Sequence, residues 1–327
     1  MARRSDFVRT DLHGHTRLSD GLTTPADYVN ARADEGLEVI ALSDHDILSG
    51  VREAAKVARR RGLTLVPAME TSSFIHFGTP DAEQVHVLAY FPPAMLESDA
   101  LEKTTLYQRG QRLVESWRTF VLAWMDALPA QDRETVDPDD ALHGLSAAEF
   151  PGLAVFLGQL MGEGRRPDET AEAARARIAT REPIVTAFHR HHVRFWTEQP
   201  AFFSWSPEEM IDAIRADGAF DVVAHPNRIR DTARMERVLE YAQGVEVYTS
   251  RHSETVSAKF LEYATAKGKH WTASTDDHQH PRQRPYRPPP SGTPRATVER
   301  ILGGALKPPV RRRAATSRRA RTPRSRR

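Results

Sequence analysis

Short apolar runs alternate along this chain with longer amphipathic stretches, and the change between them is punctuated the same way each time. A polar cap opens an amphipathic segment, a glycine closes it, and an apolar run follows. Thr24-Pro25-Ala26-Asp27 opens a segment that stops at Gly36, before LEVIALS. Ser49 opens VREAAKVARRR, which stops at Gly62 before LTLVPAM. Ser206-Pro207-Glu208-Glu209 opens MIDAIRAD, which stops at Gly218 before AFDVVAH. Ser253 opens ETVSAKFLEYATAK, which stops at Gly268 before KHWTAST. Proline at the first helical position and the Ser206/Glu209 capping-box spacing mark helix starts, and the glycines stand where a left-handed cap is wanted. Helix, glycine and strand in repeated succession predict βα units on a mainly parallel sheet.

The apolar runs give seven predicted strands, near Phe7–His13, Glu38–Ser43, Leu63–Met69, Gln84–Tyr90, Phe220–His225, Gly244–Tyr248 and His270–Thr275. From about Pro92 to Pro200 the rhythm breaks. LEKTTLYQRGQRLVESWRTFVLAWMDAL, AAEFPGLAVFLGQLM and ETAEAARARIA read there as helices without a ligand-bearing strand. The predicted organisation is a first barrel part over 1–92, a helical insertion or cap over 93–202, a second barrel part over 203–305 and a disordered arginine-rich tail over 306–327. PRQRPYRPPPSGTP reads as a proline-rich extension, and ATVERILGGAL as a short helix before the tail.

Charge sharpens that division. The formal net charge is +2, but residues 306–327 hold ten basic residues and no acid, which leaves −8 on residues 1–305. An acidic body argues against a broad nucleic-acid-binding face, while the tail is a candidate for weak nucleic-acid contact. No apolar run approaches the length of a membrane span, so a soluble protein with no membrane association is expected. With no cysteine there is neither disulfide nor thiolate chemistry, and a cytoplasmic location is expected.

Candidate chemistry falls at the strands. His13, His15 and Asp20 lie in DLHGHTRLSDG, His45 follows VIALSD, Glu70 ends LTLVPAME, and His86 lies in QVHVLAY. His225 ends FDVVAH, and Asp276 and His278 lie in TASTDDH. Residues i and i+2 of a strand face the same way, so His13 with His15, and Asp276 with His278, can each chelate one ion. Reactive groups at many strand ends are what a closed barrel presents at its C-terminal face. An open sheet also binds ligands at strand ends, but it would struggle to converge so many. Mixed imidazole and carboxylate donors favour Mn, Zn or Fe over Mg or Ca. Nine donors suffice for two or three divalent ions, a centre able to clamp a phosphoryl group and activate water. No protein nucleophile is then required.

HGH with SDG, SDHD, AME followed by HVLAY, TDDH and AHPNR, in this order, resemble the motifs of the PHP (polymerase and histidinol phosphatase) family over residues 6–92 and 203–280. The resemblance implies a distorted (β/α)7 barrel and metal-dependent phosphoester hydrolysis. It also implies three ligand sets: His13, His15, Glu70 and Asp276; Asp20, His45 and His278; Glu70, His86 and His225. The chain looks most like stand-alone members that act on nucleotides or RNA ends. It departs from them in lacking an Arg-Pro-His-type segment in the insertion, where HRHHVRF stands at 189–195, and in TASTDDHQH in place of a glycine-rich fourth motif.

Other positions have two readings each. Arg228, Tyr248 and His252 are candidates for substrate or phosphate contact, or a loop charge and packing residues. Asp44 and Asp46 could orient His45 or cap a helix, and Asp277 reads as exposed. The expected function is hydrolysis of a phosphomonoester or phosphodiester of a nucleotide or oligonucleotide end. The alternatives are a histidinol-phosphate or sugar-phosphate phosphatase, and a metal-bound module of little activity tethered to nucleic acid by its tail.

Overall fold

The computed structural model describes residues 6–128, 195–279 and 292–306, with isolated positions 130, 170, 172, 173 and 176. Seven strands form one sheet in sequence order: β2 Thr10–Asp11, β3 Val39–Leu42, β4 Thr64–Ile75, β5 Glu83–Tyr90, β6 Phe220–Val223, β7 Gly244–Tyr248 and β8 His270–Ala273. Its two edges nearly meet. Just beyond β2 and β8, Gly14 and Asp277 form a parallel bridge. There His15 N donates to Asp277 O at 2.9 Å and Asp276 N to His13 O at 2.8 Å. The fold is thus an α/β, nearly closed seven-stranded barrel. The predicted first strand is split: β1, Phe7–Val8, pairs antiparallel with β9, Thr293–Pro294, inside the stretch read as a proline-rich extension.

The sheet is mixed rather than simply parallel. β5 runs antiparallel to both β4 and β6. The segment joining β4 to β5, His76–Ala82, is too short for a helical crossover, so the chain must turn straight back.

Period-2 alternation assigns each strand residue to a side. Val39 and Ala41, Val66 and Ala68, Leu88 and Tyr90, and Phe220 and Val222 form one buried cluster with Leu12. Tyr90 donates to the Leu12 carbonyl at 2.8 Å, across strands that are not neighbours, which marks this cluster as the barrel interior. Val298 and Ile301 of a C-terminal helix, α8 (Arg295–Leu302), close one end. Met69, Val87, Val223, Val245 and Val247 belong instead to a cluster that includes Met210, Ile214, Val238 and Phe260 from surrounding helices.

Those helices are α1 (Pro25–Asp34), α2 (Val51–Arg61), α3 (Thr105–Asp126), α4 (Pro200–Phe203), α5 (Pro207–Ala216), α6 (Thr232–Tyr241) and α7 (Glu254–Lys267). Thr24, Ser206 and Ser253 cap α1, α5 and α7 as expected, and Ser206 with Glu209 completes a capping box. Ser49 does not cap α2: the cap position is Gly50, with no side-chain bond. Helix α6, capped by Asp231, was not anticipated from the pattern. Within the predicted insertion the long helix is present as α3. Its faces pack Leu113, Trp117, Val121 and Trp124 against Phe195 and Phe203. The predicted helices over 147–161 and most of 169–179, the cluster His189, His191 and His192, the stretch 280–291 and the tail from 307 lie outside the described residues.

Candidate metal centre

The inward-facing apolar layer of the barrel gives way to polar side chains one alternation further along. Glu70 follows Val66 and Ala68 on β4, and His86 precedes Leu88 and Tyr90 on β5; each is two residues beyond its apolar neighbour. Because β5 is reversed, His86 reaches the same end of the barrel from the start of its strand. His13 and His15 follow β2, His45 follows β3, His225 follows β6, and Asp276 and His278 follow β8. These are the C-terminal ends of parallel strands, where barrel sites are built. All nine donors predicted from sequence meet there.

Glu70 is the hub. Its Oε2 lies 3.1 Å from His13 Nε2, 3.1 Å from His15 Nε2 and 3.3 Å from His45 Nδ1. Its Oε1 lies 2.8 Å from both His225 Nε2 and His86 Nδ1. Asp276 Oδ1 approaches His13 and His15 Nε2 at 3.5 and 3.4 Å. Asp20 gathers the rest: 3.4 Å to His15 Nδ1, 3.4 Å to His45 Nε2 and 3.1 Å to His278 Nε2. Among the described residues, three groups offer atoms mutually close enough to hold an ion: His13, His15, Glu70 and Asp276; His15, Asp20, His45 and His278; and His45, Glu70 and His86. The first is the set the resemblance implied. The second adds His15 to its implied set, and the third has His45 where His225 was implied, although His225 touches the same Glu70 oxygen as His86.

The donor set fits divalent ions. Among the described residues, Glu70 Oε2 is buried without a hydrogen-bond partner, and so are both His86 nitrogens; the 2.8 Å approach of Nδ1 to Glu70 lacks hydrogen-bond alignment. His13 and His15 aim their Nε2 atoms at each other across 3.2 Å. Donors held at about 2.0–2.2 Å from one ion lie roughly 3.0–3.5 Å from one another, so these spacings are those of atoms converging on a shared point.

The electrostatics agree. Burial alone would depress the basic nitrogens, but Asp20 beside His15 and His45 lifts each to about 9, with Glu70 contributing to both. Burial also opposes His13, yet Glu70, Glu246 and Asp276 hold it well above its ordinary value. Burial would raise Glu70, and the imidazoles of His86, His13 and His45 hold it well below the carboxylate range instead. Asp20, likewise opposed by burial, is held low by His45, His278 and His15. His86 is lowered by burial.

Supporting residues fix these rings. Glu246, fully buried on β7, accepts from His13 Nδ1 at 3.0 Å, His225 N at 2.8 Å and Ser274 Oγ at 2.6 Å. In the neutral ring, an Nδ1 that donates to Glu246 leaves Nε2 bare towards the cluster, the arrangement that raises donor basicity at metal sites. His225 and Asp276 sit at φ +25° and +52°, strained positions for non-glycine residues. Asp44 neither orients His45 nor caps a helix: it accepts from Thr16 N, Thr16 Oγ1 and Ser19 Oγ, and so pins the loop that carries His15 and Asp20. Asp46, at φ +55°, accepts from Ser72 N and from Arg109 of α3, both at 2.9 Å. Asp277 is not exposed as expected; it is half-buried and paired with Arg32 at 2.5 Å.

Among the described residues, no side-chain hydrogen bond joins the three substrate candidates to the donors, although His252 lies close enough to His225 to feel its charge. Arg228 is exposed on a short turn after His225. Tyr248 packs against the core between sheet and helices, with its ring 5.6 Å from Trp271. His252 bonds the Val247 carbonyl through Nδ1 at 2.8 Å and stacks on Phe260, and burial lowers its pKa. Three further residues of the site are not among those expected from the sequence: Glu246, Arg109 and Arg251, the last of which is hydrogen-bonded to Asp276. For Glu246 a signal existed: an acid at the centre of GVEVY, inside an apolar run.

A barrel with this imidazole–carboxylate cluster at its mouth has the build of a metal-dependent hydrolase. A family model for the PHP domain matches residues 11–178, and the chain belongs to that family. It is 26% identical over 283 residues to a 3',5'-nucleoside bisphosphate phosphatase of Chromobacterium violaceum, covering 83% of this chain and 88% of that one. It is 23% identical over 230 residues to a 5'-3' exoribonuclease of Haemophilus influenzae, covering 70% and 73%. Among solved structures, a Chromobacterium violaceum amidohydrolase with bound sulfate and no metal superposes with a TM-score of 0.58 at 25% identity, over 90% of this chain and 96% of that one. Among the described residues no helix is long and apolar enough to cross a membrane.

Proposed function

We propose that this protein hydrolyses a phosphomonoester of a nucleotide, with a 3',5'-bisphosphonucleoside as the preferred substrate class, using two or three divalent ions (Mn, Zn or Fe). The observation that carries the reading is Glu70, one buried carboxylate faced by five imidazoles. His13, His15, Glu70 and Asp276 would hold one ion, and Asp20, His45 and His278 a second. Glu70 with His86, and with His225 or His45, would hold a third. Bound there, such ions would supply activated water at neutral pH and a clamp for phosphoryl oxygens. The protein contributes a water-poor, rigid frame: Glu246 fixes the His13 tautomer, Asp44 fixes the loop of His15 and Asp20, and Asp46 ties β4 to α3. The phosphatase relative supports the substrate class, and a bound sulfate in the solved relative supports recognition of a tetrahedral oxyanion. A cytoplasmic location suits such a substrate.

The test is turnover of a generic aryl phosphate and of 3',5'-bisphosphonucleosides by Mn²⁺-loaded protein. Release of inorganic phosphate from the bisphosphonucleoside at higher kcat/KM than from the mononucleotide is expected. A loaded protein that turns over no phosphoester sinks the reading. A second reading, cleavage at an oligoribonucleotide end, is favoured by the exoribonuclease relative. It would win if nucleoside monophosphates were released from a short RNA faster than phosphate from the bisphosphonucleoside.

A further inference from the structure

The loop Thr249–Ser253 leaves β7 on the donor side of the barrel and ends in the Ser253 cap of α7. It carries Arg251, whose Nε donates to Asp276 Oδ2. The other oxygen of that carboxylate, Oδ1, faces His13, His15 and His278 at 3.5, 3.4 and 3.6 Å. Asp276 thus separates the guanidinium from the imidazole cluster by the width of one carboxyl group. The loop is tied down from the opposite side, where Asn227 Nδ2 donates to the Arg251 carbonyl at 3.1 Å. The Arg251 side chain is 38% exposed, so it reaches the mouth of the barrel.

Only the side edge of the guanidinium is engaged. Among the described residues its terminal nitrogens, Nη1 and Nη2, make no hydrogen bond. A guanidinium is planar and always charged, and its remaining N–H pair matches two oxygens of a phosphate. Arg228, the arginine that sequence spacing favours for this role, makes no such contact with a donor residue.

We propose that Arg251 binds the phosphoryl group that is cleaved, with Nη1 and Nη2 donating to its non-bridging oxygens while Nε stays on Asp276. This rests on the phosphoester reading above and adds to it a residue that touches the reacting group. Because every phosphoester carries that group, the contact is independent of the nucleoside.

The experiment compares Mn²⁺-loaded wild type with R251A and R251K, each with its metal content measured by mass spectrometry. Inorganic phosphate is titrated in by calorimetry. At equal metal content R251A should bind phosphate about 10-fold more weakly or worse, the size of one lost charge-assisted pair. Its kcat/KM should fall roughly 100- to 1,000-fold, as when a single oxyanion donor is removed. The fall should be the same for an aryl phosphate and a 3',5'-bisphosphonucleoside, and added guanidinium ion should restore part of the R251A rate. Equal phosphate affinity in wild type and R251A overturns the proposal. So does loss of metal in proportion to lost phosphate binding, which makes Arg251 a holder of Asp276 only. A defect confined to the bisphosphonucleoside also overturns it, by placing Arg251 on another part of the substrate. A wild type that binds phosphate through Arg251 but hydrolyses no ester removes the proposed activity and leaves this anion site standing.

Discussion

Glu246 and His13 are joined by a 3.0 Å hydrogen bond, although they lie 233 residues apart and neither is exposed to solvent. Glu246 is not one of the cluster's converging donors; it stands behind His13 and decides which of its nitrogens carries the proton. Glu246→Gln keeps the shape but replaces a charged acceptor with an amide that can flip. Loss of a carboxylate behind a metal-binding histidine costs about 10- to 100-fold in metal affinity. That loss is expected for E246Q in Mn²⁺ titrations against a fluorescent chelator, with the folded state retained by circular dichroism. Unchanged affinity would show that Glu246 serves only to pair a buried imidazole.

The loop after His15 has no room for a larger residue at Gly21. An added Cβ there would fall 2.7 Å from both the carbonyl carbon and the oxygen of His15. Gly21→Ala must therefore displace the turn that carries Asp20, and with it the contacts to His15, His45 and His278. One fewer ion bound per chain is expected, read by mass spectrometry of metal-loaded protein. The His13, His15, Glu70 and Asp276 group should stay filled, since only His15 is shared.

The donors were legible because each interrupts or ends an apolar run, and a barrel turns scattered strand ends into neighbours. The direction of β5 was not legible, since QVHVLAY reads the same forwards and backwards as a buried strand. The cue was the short segment before it, with Gly78 and Pro80 in a stretch too brief for a helix. Glu246 was missed because an acid between two valines resembles the outward side of a half-covered strand; here both sides of β7 are buried. Arg251 was missed because its partner lies 25 residues away across a helix, and no local spacing encodes that meeting. Asp44 and Asp46 flank His45 in sequence yet support other segments, a matter of backbone turns that residue spacing does not fix.

Proton and metal compete for the same nitrogens. His15 and His45 have ordinary values of 6.5; burial works against protonation, but Asp20 and Glu70 lift each to about 9 in the metal-free fold. A folded value above the unfolded one means that the ion pairs stabilise fully below 6.5 and lose that effect as pH rises through 9. Asp20 and Glu70 are shifted the other way, so their contribution persists above the carboxylate range and fades only in acid. The Tm of metal-free protein should therefore decline from pH 6.5 towards 9. The increase in Tm given by Mn²⁺ should grow over that window, because fewer protons must be displaced. Thermal unfolding with and without the ion, from pH 6 to 8.5, checks both trends; an increment that is flat or shrinks with pH contradicts them.

Helix α3 reaches the centre through one buried ion pair. Arg109 Nη1 donates to Asp46 Oδ1 at 2.9 Å, with side-chain exposures of 2% and 0%, and Arg109 also bonds the Phe202 carbonyl. Its neighbour Gly110 lets the helix approach closely, since a Cβ there would stand 2.6 Å from the Asp46 carbonyl. Arg109→Met would leave the buried Asp46 carboxyl without its ionic partner, with the Ser72 amide as its one remaining side-chain hydrogen bond among the described residues. Breaking such a pair from one side costs about 3–5 kcal/mol, whereas replacing both partners with neutral groups of similar shape is often close to neutral. R109M alone should thus destabilise by about that amount in urea unfolding, and D46N/R109M by clearly less, a coupling that a double-mutant cycle isolates. The pair also decides whether α3 can shift without disturbing the site: Asp46 follows His45 directly, and through Ser72 it grips β4 two residues past Glu70. R109M should accordingly lower Mn²⁺ affinity as well as stability, and D46N/R109M should recover stability without recovering the ion. If metal affinity instead follows stability through all three variants, α3 acts on the centre only by holding the barrel together.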